Sequence, residues 1–170
     1  ALPISCFWEN GATIDIVYEH LCAEVQVGIH RGHDGGRHGD QGQTQGRFLI
    51  GTVEGDVHDI GKTIVVSLFK ANGFEVKDLG RDVAIDKIID EAEKYGANII
   101  GTSTLLTTTM VVQKELEQEL KKAGLRDKYK TVVGGAPVNR KFADDIGADG
   151  YAPDAGEAVS VARDLVASGS

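Results

Sequence analysis

From residue 48 onward, short apolar runs alternate with longer amphipathic segments. The apolar runs, which are candidate strands, cover residues 48–53, 74–77, 98–102, 131–133 and, most weakly, 149–151. Strands that alternate with helices form a parallel sheet, because a parallel pair needs a long crossover connection that is usually a helix. We therefore predict an α/β protein with a five-stranded, doubly wound parallel sheet of the flavodoxin or Rossmann type, with ligands bound beyond the carboxyl ends of the strands.

The segments between these runs have the periodicity of helices with one apolar face. The first helix is predicted over Ile60–Ala71 with Ile64 on its buried stripe, and a later helix carries Val111 and Leu116 on one stripe. Left-handed helix caps are expected at three glycines, and two prolines mark the starts of the last two helices. These residues are Gly73, Gly96, Gly124, Pro137 and Pro153.

The balance of charges argues against nucleic acid and membrane partners. The 170 residues include 18 Lys and Arg against 26 Asp and Glu, a formal net charge of -8, without a basic run. No apolar stretch in the sequence approaches the roughly 20 residues that cross a bilayer. Only Cys6 and Cys22 are present, and the N-terminus lacks the pattern of a signal peptide. We expect a cytoplasmic chain that binds a small molecule or a protein.

The first 47 residues do not share the alternation. Residues 28–47 contain seven glycines and three of the five histidines but almost no apolar side chains, so they cannot bury enough surface to become ordered. The chain is therefore divided into an irregular or partly disordered segment, 1–47, and one domain, 48–170. A metal site at His30, His33 and His38 is less favoured than incidental composition. Since the chain begins at alanine, we expect a processed, cloned or incomplete N-terminus.

The loop after the first strand, Gly55–Gly61, contains a histidine between two aspartates. A metal-ligating imidazole usually donates its other N–H to a carboxylate, and Asp56 is placed to accept it from His58. The alternative is a surface histidine in an acidic turn, and the loop alone leaves both interpretations open. A further alternative is a plain divalent ion held by Glu54, Asp56, His58 and Asp59.

Three other chemistries of a loop after the first strand do not suit these residues. Residues 61–63 end like a P-loop, but Asp56 stands where the earlier glycine is required, and its carboxylate would repel a phosphate. A response regulator needs a phosphorylatable aspartate at the end of the third strand, where residues 101–104 read Gly-Thr-Ser-Thr. No GxGxxG follows the first strand, so a dinucleotide site is not indicated.

Two further motifs follow the loop. Counted from Gly61, 41 residues precede Ser103-Thr-Leu105 and 28 more precede Gly134-Gly135. In the predicted sheet, the three motifs lie at the carboxyl ends of strands one, three and four, and so meet in one crevice. The pattern DxHxxG, SxL and GG at these separations resembles the cobalamin-binding domain shared by methionine synthase and the corrinoid proteins of methyltransferase systems, over roughly residues 47–168.

The resemblance implies a cofactor and its ligands. Cobalamin or a related corrinoid would bind base-off and His-on, with its own base detached from cobalt and His58 as the lower metal ligand, held by Asp56. Thr109 takes the place of the family's serine hydroxyl behind the aspartate, and it also suits a helix cap. The other residues implied at the cofactor, whose detached base would enter a slot beside the twin glycines, are Gly55, Val57, Asp59, Ile60, Gly61, Ser103, Leu105, Thr107, Gly134, Gly135, Tyr151 and Ala155.

The resemblance also implies a function. The loop followed by Lys62 is similar to the methyl-transfer branch of the family, whereas the isomerase branch has a loop resembling DGHDRG. We expect a corrinoid subunit that carries a methyl group on cobalt between separate methyltransferases, rather than a complete enzyme. The preceding 47 residues are too few for the family's helical bundle, so the upper corrin face is expected to be open or covered by another chain.

The alternative function is a cobalamin sensor or storage protein that uses the same site without catalysis. Sensors of this type usually carry a DNA-binding module, and this acidic chain has none. The methyl donor, the methyl acceptor and the lower base of the corrinoid are not indicated by the sequence.

Overall fold

The structure, a computed structural model, describes residues 44–168. The predicted segment 1–47, with His30, His33 and His38, lies outside these residues apart from its last four. The strands are β1 (Arg47–Thr52), β2 (Glu75–Asp78), β3 (Ile99–Ser103), β4 (Lys130–Gly134) and β5 (Gly150–Ala152). The helices are α1 (Ile60–Ala71), α2 (Ile85–Tyr95), α3 (Met110–Lys122), α4 (Arg140–Ile146) and α5 (Ala155–Ser168). A short 3-10 helix, Thr107–Thr109, precedes α3.

The five strands form one parallel sheet in the order β2-β1-β3-β4-β5. Phe48 of β1 pairs with Val76 of β2 on one side and with Ile99 of β3 on the other. The strand order reverses at β1, so a crevice opens between the carboxyl ends of β1 and β3. The predicted fold class is confirmed, and each strand lies within one residue of its predicted bounds.

Helices cover both faces of the sheet. Adjacent strand residues point to opposite faces, so Phe48 packs toward α1 and α5 while Leu49 packs toward α2 and α3. The Phe48 and Phe69 rings stack with their centroids 3.9 Å apart, which joins α1 to the sheet. A smaller cluster around Val133 and Val138 attaches α4. Within residues 44–168, no helix is both long and apolar enough to span a membrane.

The apolar periodicity was wrong for two large apolar side chains of the helices. Ile64 of α1 is 41% exposed and Val111 of α3 is 50% exposed. The buried face of α1 instead includes Phe69 and Lys62, whose amine lies 2.6 Å from Asp78 Oδ1. That ion pair compensates for the burial of the charge. Ile64 was predicted to be buried because it is apolar, but its side chain lines a cavity at the carboxyl ends of the strands.

Candidate functional site

The loop after β1 is held by hydrogen bonds to its own first residues and to the end of the strand. The Asp56 N–H donates to the Val53 carbonyl at 3.1 Å, across a turn in which Gly55 has a φ of 81°. A positive φ of this size favours glycine. Thr52 Oγ1 donates to the His58 carbonyl at 3.0 Å. The loop therefore returns to the end of β1 and presents His58 immediately before α1.

A residue of the loop between β2 and α2 supports the same turn. Asp82 Oδ1 accepts from the Gly55 N–H at 2.8 Å, and the Asp82 N–H donates to the Asp56 carbonyl at 3.0 Å. Asp82 has a φ of 53°, in the left-handed region that non-glycine residues enter at a cost. Asp82 was not predicted from the sequence, because it lies 27 residues from Gly55 and no motif connects the two.

Asp56 orients the imidazole of His58. Asp56 Oδ1 lies 2.8 Å from His58 Nδ1 and accepts from the His58 backbone N–H at 3.0 Å. The Asp56 side chain is fully buried, whereas the His58 side chain is 50% exposed. A carboxylate that accepts from Nδ1 keeps a proton on that atom, which leaves Nε2 with a free lone pair. The predicted pairing of the two residues is therefore present, with the ring facing outward.

The second oxygen of the same carboxylate receives hydrogen bonds from the segment after β3. Asp56 Oδ2 accepts from the Leu105 N–H at 2.6 Å and from the Leu106 N–H at 3.3 Å. Burial by itself raises the pKa of Asp56, but the N–H groups of Leu105 and His58, the His58 ring and the Thr104 hydroxyl together hold this pKa well below its ordinary value of 3.8. The carboxylate is therefore ionised at neutral pH.

Two threonine hydroxyls lie behind Asp56. Thr104 Oγ1 is 3.2 Å from Asp56 Oδ2 and 2.5 Å from Thr109 Oγ1, while Thr109 Oγ1 is 3.4 Å from Asp56 Oδ2. The Leu106 carbonyl, 3.0 Å from Thr109 Oγ1 and 3.2 Å from Thr104 Oγ1, is a further acceptor for these hydroxyls. Each hydroxyl has one hydrogen, so the contacts of 2.5 Å and 3.2 Å to Thr109 and Asp56 are both satisfied if Thr109 donates to Thr104 and Thr104 donates to Asp56. Thr104 is thus the nearer hydroxyl. Thr104 was not predicted from the sequence, because the SxL motif leaves its middle position unspecified.

A cavity of about 700 Å³ opens beside His58, between the sheet and helices α1 and α5. Its lining is mostly apolar and includes parts of β1, β3, β4 and β5 near their carboxyl ends. The lining residues that the sequence assigns to the cofactor are Val57, His58, Asp59, Ile60, Gly61, Ser103, Leu105, Gly134, Gly135 and Ala155. The three motifs therefore meet at one cavity in the crevice of the sheet.

Other residues that were assigned to the cofactor lie outside the cavity lining. Thr107 is exposed in the 3-10 helix, and Gly55 belongs to the turn beneath His58. Tyr151 packs against the cluster around Val133 and Val138, on the opposite face of β5 from the cavity-lining Ala152. The alternation of strand side chains separates these two neighbours. The cofactor contacts of Gly55, Thr107 and Tyr151, like those of the lining residues, stay predictions.

Two glycines of the cavity lining differ in what they avoid. A Cβ at Gly135, where φ is 128°, would lie 1.8 Å from the Thr104 carbonyl oxygen, so the fold itself requires glycine there. A Cβ at Gly61 would meet no atom of residues 44–168 within 4 Å, and Gly61 does not have a positive φ. The fold therefore does not require glycine at position 61. The open space above its backbone, beside His58, fits a large ligand that approaches the first turn of α1.

The alternative of a divalent ion is not supported by the geometry. In the described part of the chain, no three His, Cys, Asp or Glu side chains lie close enough together to hold a metal ion. Asp56 is committed to His58 and to the segment after β3. A metal at this site would therefore need most of its ligands from a cofactor, with one imidazole nitrogen from the protein.

The fold and the site define a cofactor-binding α/β domain, in which an imidazole held by a buried carboxylate stands at the mouth of an apolar slot. The family model described as B12 binding domain matches residues 46–160. The chain belongs to the B12 binding domain family, and cobalamin or a related corrinoid is the cofactor that this family binds.

Similarity to corrinoid proteins supports this assignment. Dimethylamine corrinoid protein 3 of Methanosarcina mazei is 50% identical over 129 residues, which cover 76% of this chain and 77% of the relative. The structure of the monomethylamine corrinoid protein of Methanosarcina barkeri matches with a TM-score of 0.73 and 35% identity, covering 89% of this chain and 66% of that one.

A third match is a complex. The methanol:cobalamin methyltransferase complex MtaBC of Methanosarcina barkeri matches with a TM-score of 0.69 and 36% identity, over 76% of this chain and 49% of that one. The chain spans 58% and 61% of the length of two further curated relatives. It is thus similar to part of a longer protein in these cases.

Proposed function

We propose that this chain is a corrinoid carrier, which holds a methyl group on a protein-bound corrinoid and passes it between partner methyltransferases. Relatives that are about half identical are named for dimethylamine and trimethylamine corrinoid systems. A methyl carrier must keep its metal accessible to two partners in turn. A domain whose site opens at one edge of a sheet suits that requirement.

The observation that carries this proposal is the pairing of His58 with Asp56. Because Nδ1 faces the carboxylate at 2.8 Å, Nε2 is the nitrogen left to bind a metal. We infer that the corrinoid binds base-off and His-on, with His58 as the lower ligand of cobalt. The cobalt of a bound corrinoid supplies the nucleophile that accepts and releases the methyl group. The chain supplies the ligand, its orientation and the slot.

Other features around the cavity have separate roles in binding the cofactor. Asp56 holds the proton on Nδ1, and its fixed orientation depends on the N–H of Leu105 and on the Thr104 hydroxyl. The apolar slot between the sheet and α5 is available for the detached nucleotide tail of the cofactor. Gly61 leaves room beside His58 for the corrin ring. Each of these roles is part of the proposal.

Exposed apolar residues surround His58. Val57 is 58% exposed, Ile60 80% and Leu105 47%, although large exposed apolar side chains are unfavourable unless a ligand or partner covers them. We infer that the corrin ring covers part of this surface. The partners proposed for the carrier are separate methyltransferase subunits, by analogy with the MtaBC complex. The cytoplasmic location expected from the sequence stays a prediction.

The deciding experiment is absorption spectroscopy of the chain mixed with cobalamin. The expected result is a base-off, His-on spectrum at one cobalamin per chain. His58→Ala should give a base-off spectrum without a histidine ligand, whereas His33→Ala, which changes a histidine of the N-terminal segment, should retain the wild-type spectrum. A wild-type spectrum identical to that of free cobalamin, or one unchanged in His58→Ala, would contradict the proposal.

A second experiment separates a carrier from a sensor or storage protein. The methylcorrinoid-loaded chain is mixed with candidate methyltransferases and a thiol acceptor, and loss of the methyl group is followed by absorption. Transfer at a rate that depends on the partner enzyme is expected for a carrier. A chain that binds cobalamin tightly but transfers no methyl group to any acceptor would favour the sensor or storage function.

A further inference from the structure

We propose that the slot selects corrinoids by their lower base, favouring a benzimidazole over a purine. This inference rests on the proposed function, because it requires that the detached base enters the slot. It adds to that function the chemical class of corrinoid that the chain binds most tightly. Three observations carry it: the composition of the slot wall, the commitments of its polar side chains, and the position of one free hydroxyl.

The wall of the slot is built from apolar side chains at positions that the fold buries. Ile50 and Val132 from the sheet and Ala158 from α5 line it, and each is no more than 5% exposed. Phe48 lies over Gly101, where an added Cβ would be 2.5 Å from the Phe48 ring, so an aromatic surface extends across β3. The strand backbones beneath are paired in the sheet. A planar apolar ring therefore fits this wall.

The polar side chains of the lining are mostly engaged elsewhere. The Thr102 hydroxyl faces Gln113, whose Nε2 lies 3.2 Å away on the opposite side of the sheet. The Thr104 hydroxyl belongs to the chain behind Asp56. Asp154 Oδ1 accepts from the Glu157 N–H at 2.8 Å as the cap of α5. The two hydroxyls and Asp154 Oδ1 are therefore already engaged within the protein.

Ser103 is different. Of the hydroxyl side chains that line the cavity, Ser103 has no hydrogen-bond partner among residues 44–168. It is the last residue of β3, one position after Thr102 and therefore on the cavity side of the sheet. Ser103 can donate one hydrogen bond to a group inside the slot. Among the strand side chains that line the slot, Ser103 thus offers one uncommitted polar contact, with an apolar surface around it.

This inventory matches a benzimidazole and not a purine. After attachment to ribose, a benzimidazole keeps one ring nitrogen, which one hydroxyl can satisfy, and its benzene ring is apolar. Adenine keeps three ring nitrogens, two more than a benzimidazole, and also has an amino group. Most of these polar groups would be buried without partners. Buried polar groups without hydrogen bonds are costly, and we expect an adenine-containing corrinoid to bind about 10- to 100-fold more weakly.

The test is a comparison of dissociation constants. The full chain is titrated with three corrinoids: cobalamin, its adenine analogue, and cobinamide, which lacks the nucleotide tail. Binding is measured by equilibrium dialysis. Cobalamin should bind most tightly, and the adenine analogue about 10- to 100-fold more weakly. Equal dissociation constants for cobalamin and the adenine analogue would overturn the inference, as would equal constants for cobalamin and cobinamide.

A pair of alanines in α5 supplies matched variants. Ala158 and Ala162 lie one turn apart and are 5% and 0% exposed, but only Ala158 is among the lining residues of the cavity. Ala158→Ser adds a hydroxyl to the slot and should reduce the preference for cobalamin over the adenine analogue by about 3- to 10-fold. Ala162→Ser should leave the preference at its wild-type value. If Ala158→Ser had the same preference for cobalamin as wild type, the slot would not be the source of the selectivity.

The outcomes separate this inference from the proposed function. A His-on spectrum with equal affinity for both bases would overturn the selectivity and leave the carrier proposal in place. A clear preference for cobalamin without histidine ligation would support the slot and contradict the base-off, His-on mode. No binding of any of the three corrinoids would contradict both.

Discussion

Two buried carboxylates, at opposite edges of the same sheet, are stabilised in different ways. We call the ends of β1, β3, β4 and β5 with the loops that follow them the carboxyl edge, and the starts of β4 and β5 with the loops before them the amino edge. Asp56 at the carboxyl edge is 0% exposed and Glu117, which reaches the amino edge from α3, is 1% exposed. Their pKa values nevertheless shift in opposite directions.

Glu117 is paired with a cation. Arg126 Nε lies 2.7 Å from Glu117 Oε2, and Arg126 Nη1 lies 2.8 Å from Asp149 Oδ2. Burial raises the pKa of Glu117 above its ordinary value of 4.5, although the Thr131 hydroxyl and Arg126 lower it in part. The cluster therefore ties the end of α3 to the loops before β4 and β5, but its cation is shared with Asp149 and compensates for burial incompletely.

Within residues 44–168, the hydrogen-bond donors of Asp56 include neither a lysine nor an arginine. Its two oxygens accept from backbone N–H groups, a hydroxyl and the His58 ring, all fixed by the fold. The comparison shows that several preorganised donors can outweigh the cost of burying a charge where one shared cation does not. The carboxyl edge thus holds a negative charge that orients His58, and the amino edge holds a structural network.

The largest expected effect is on stability when each carboxylate becomes an amide. Asp56→Asn turns an amino group toward donors that need an acceptor, so the free energy of unfolding should fall by about 3 kcal/mol, while Glu117→Gln should lower it by about 1 kcal/mol. Urea unfolding measures both. Asp56→Asn should also weaken the His-on spectrum with cobalamin, and Glu117→Gln should not. An equal loss of histidine ligation in both variants would remove the distinction between the edges.

The next effect is on the pH dependence of stability, where the two edges should have opposite signs. The folded pKa of Asp56 is below 3.8, so its contribution is present above that value and is lost as pH falls through the folded pKa. The folded pKa of Glu117 is above 4.5, so the stability from its protonation is present below that value and is lost as pH rises through the folded pKa.

Urea unfolding from pH 3 to pH 7 checks these signs. The free energy of unfolding of wild type should exceed that of Asp56→Asn by a smaller amount below pH 3.8. Relative to Glu117→Gln, the free energy of unfolding of wild type should fall above pH 4.5. Parallel curves for all three proteins would show that neither carboxylate has a shifted pKa.

A pair of buried threonines gives a smaller effect. Thr104 at the carboxyl edge is 1% exposed and Thr131 at the amino edge is 2% exposed. Valine at either position removes a hydrogen-bonding hydroxyl, and should lower the free energy of unfolding by about 1 kcal/mol. Only Thr104→Val should reduce the His-on fraction with cobalamin, because its hydroxyl donates to Asp56. Thr104→Ser should restore that fraction, and an unchanged spectrum in Thr104→Val would exclude Thr104 as a positioning residue.

The smallest expected effect concerns two glycines. Gly147 caps α4 with a φ of 80°, so Gly147→Ala should lower the free energy of unfolding by about 1 kcal/mol without changing cobalamin affinity. Gly61→Ala should raise it by about 0.5 kcal/mol, because alanine favours the helix and meets no neighbour. Its cobalamin affinity should decrease if the cofactor approaches that backbone. Equilibrium dialysis tests this, and unchanged affinity would place the corrin ring elsewhere.

Local patterns determined much of the fold and part of the site. The alternation of apolar runs and amphipathic segments predicted five strands within one residue of their bounds, because periodicity and turn residues are properties of short segments. The pairing of Asp56 with His58 was predictable because the two residues are separated by one position, and the carboxylate reaches both the backbone and the ring of His58. The separations of the three motifs along the chain predicted that they meet in one crevice of the sheet.

Only the tertiary structure decided how that pair is supported. Leu105 and Thr104 reach Asp56 across 49 and 48 residues of sequence, and no local pattern specifies such a contact. The pairing of β1 with β3 brings them together. The same holds for Asp82 beneath the turn and for Tyr151, which the pleat of β5 directs away from the cavity. The sequence by itself determined which residues are proposed to bear the chemistry, and packing between distant segments decided their hydrogen bonds, burial and pKa.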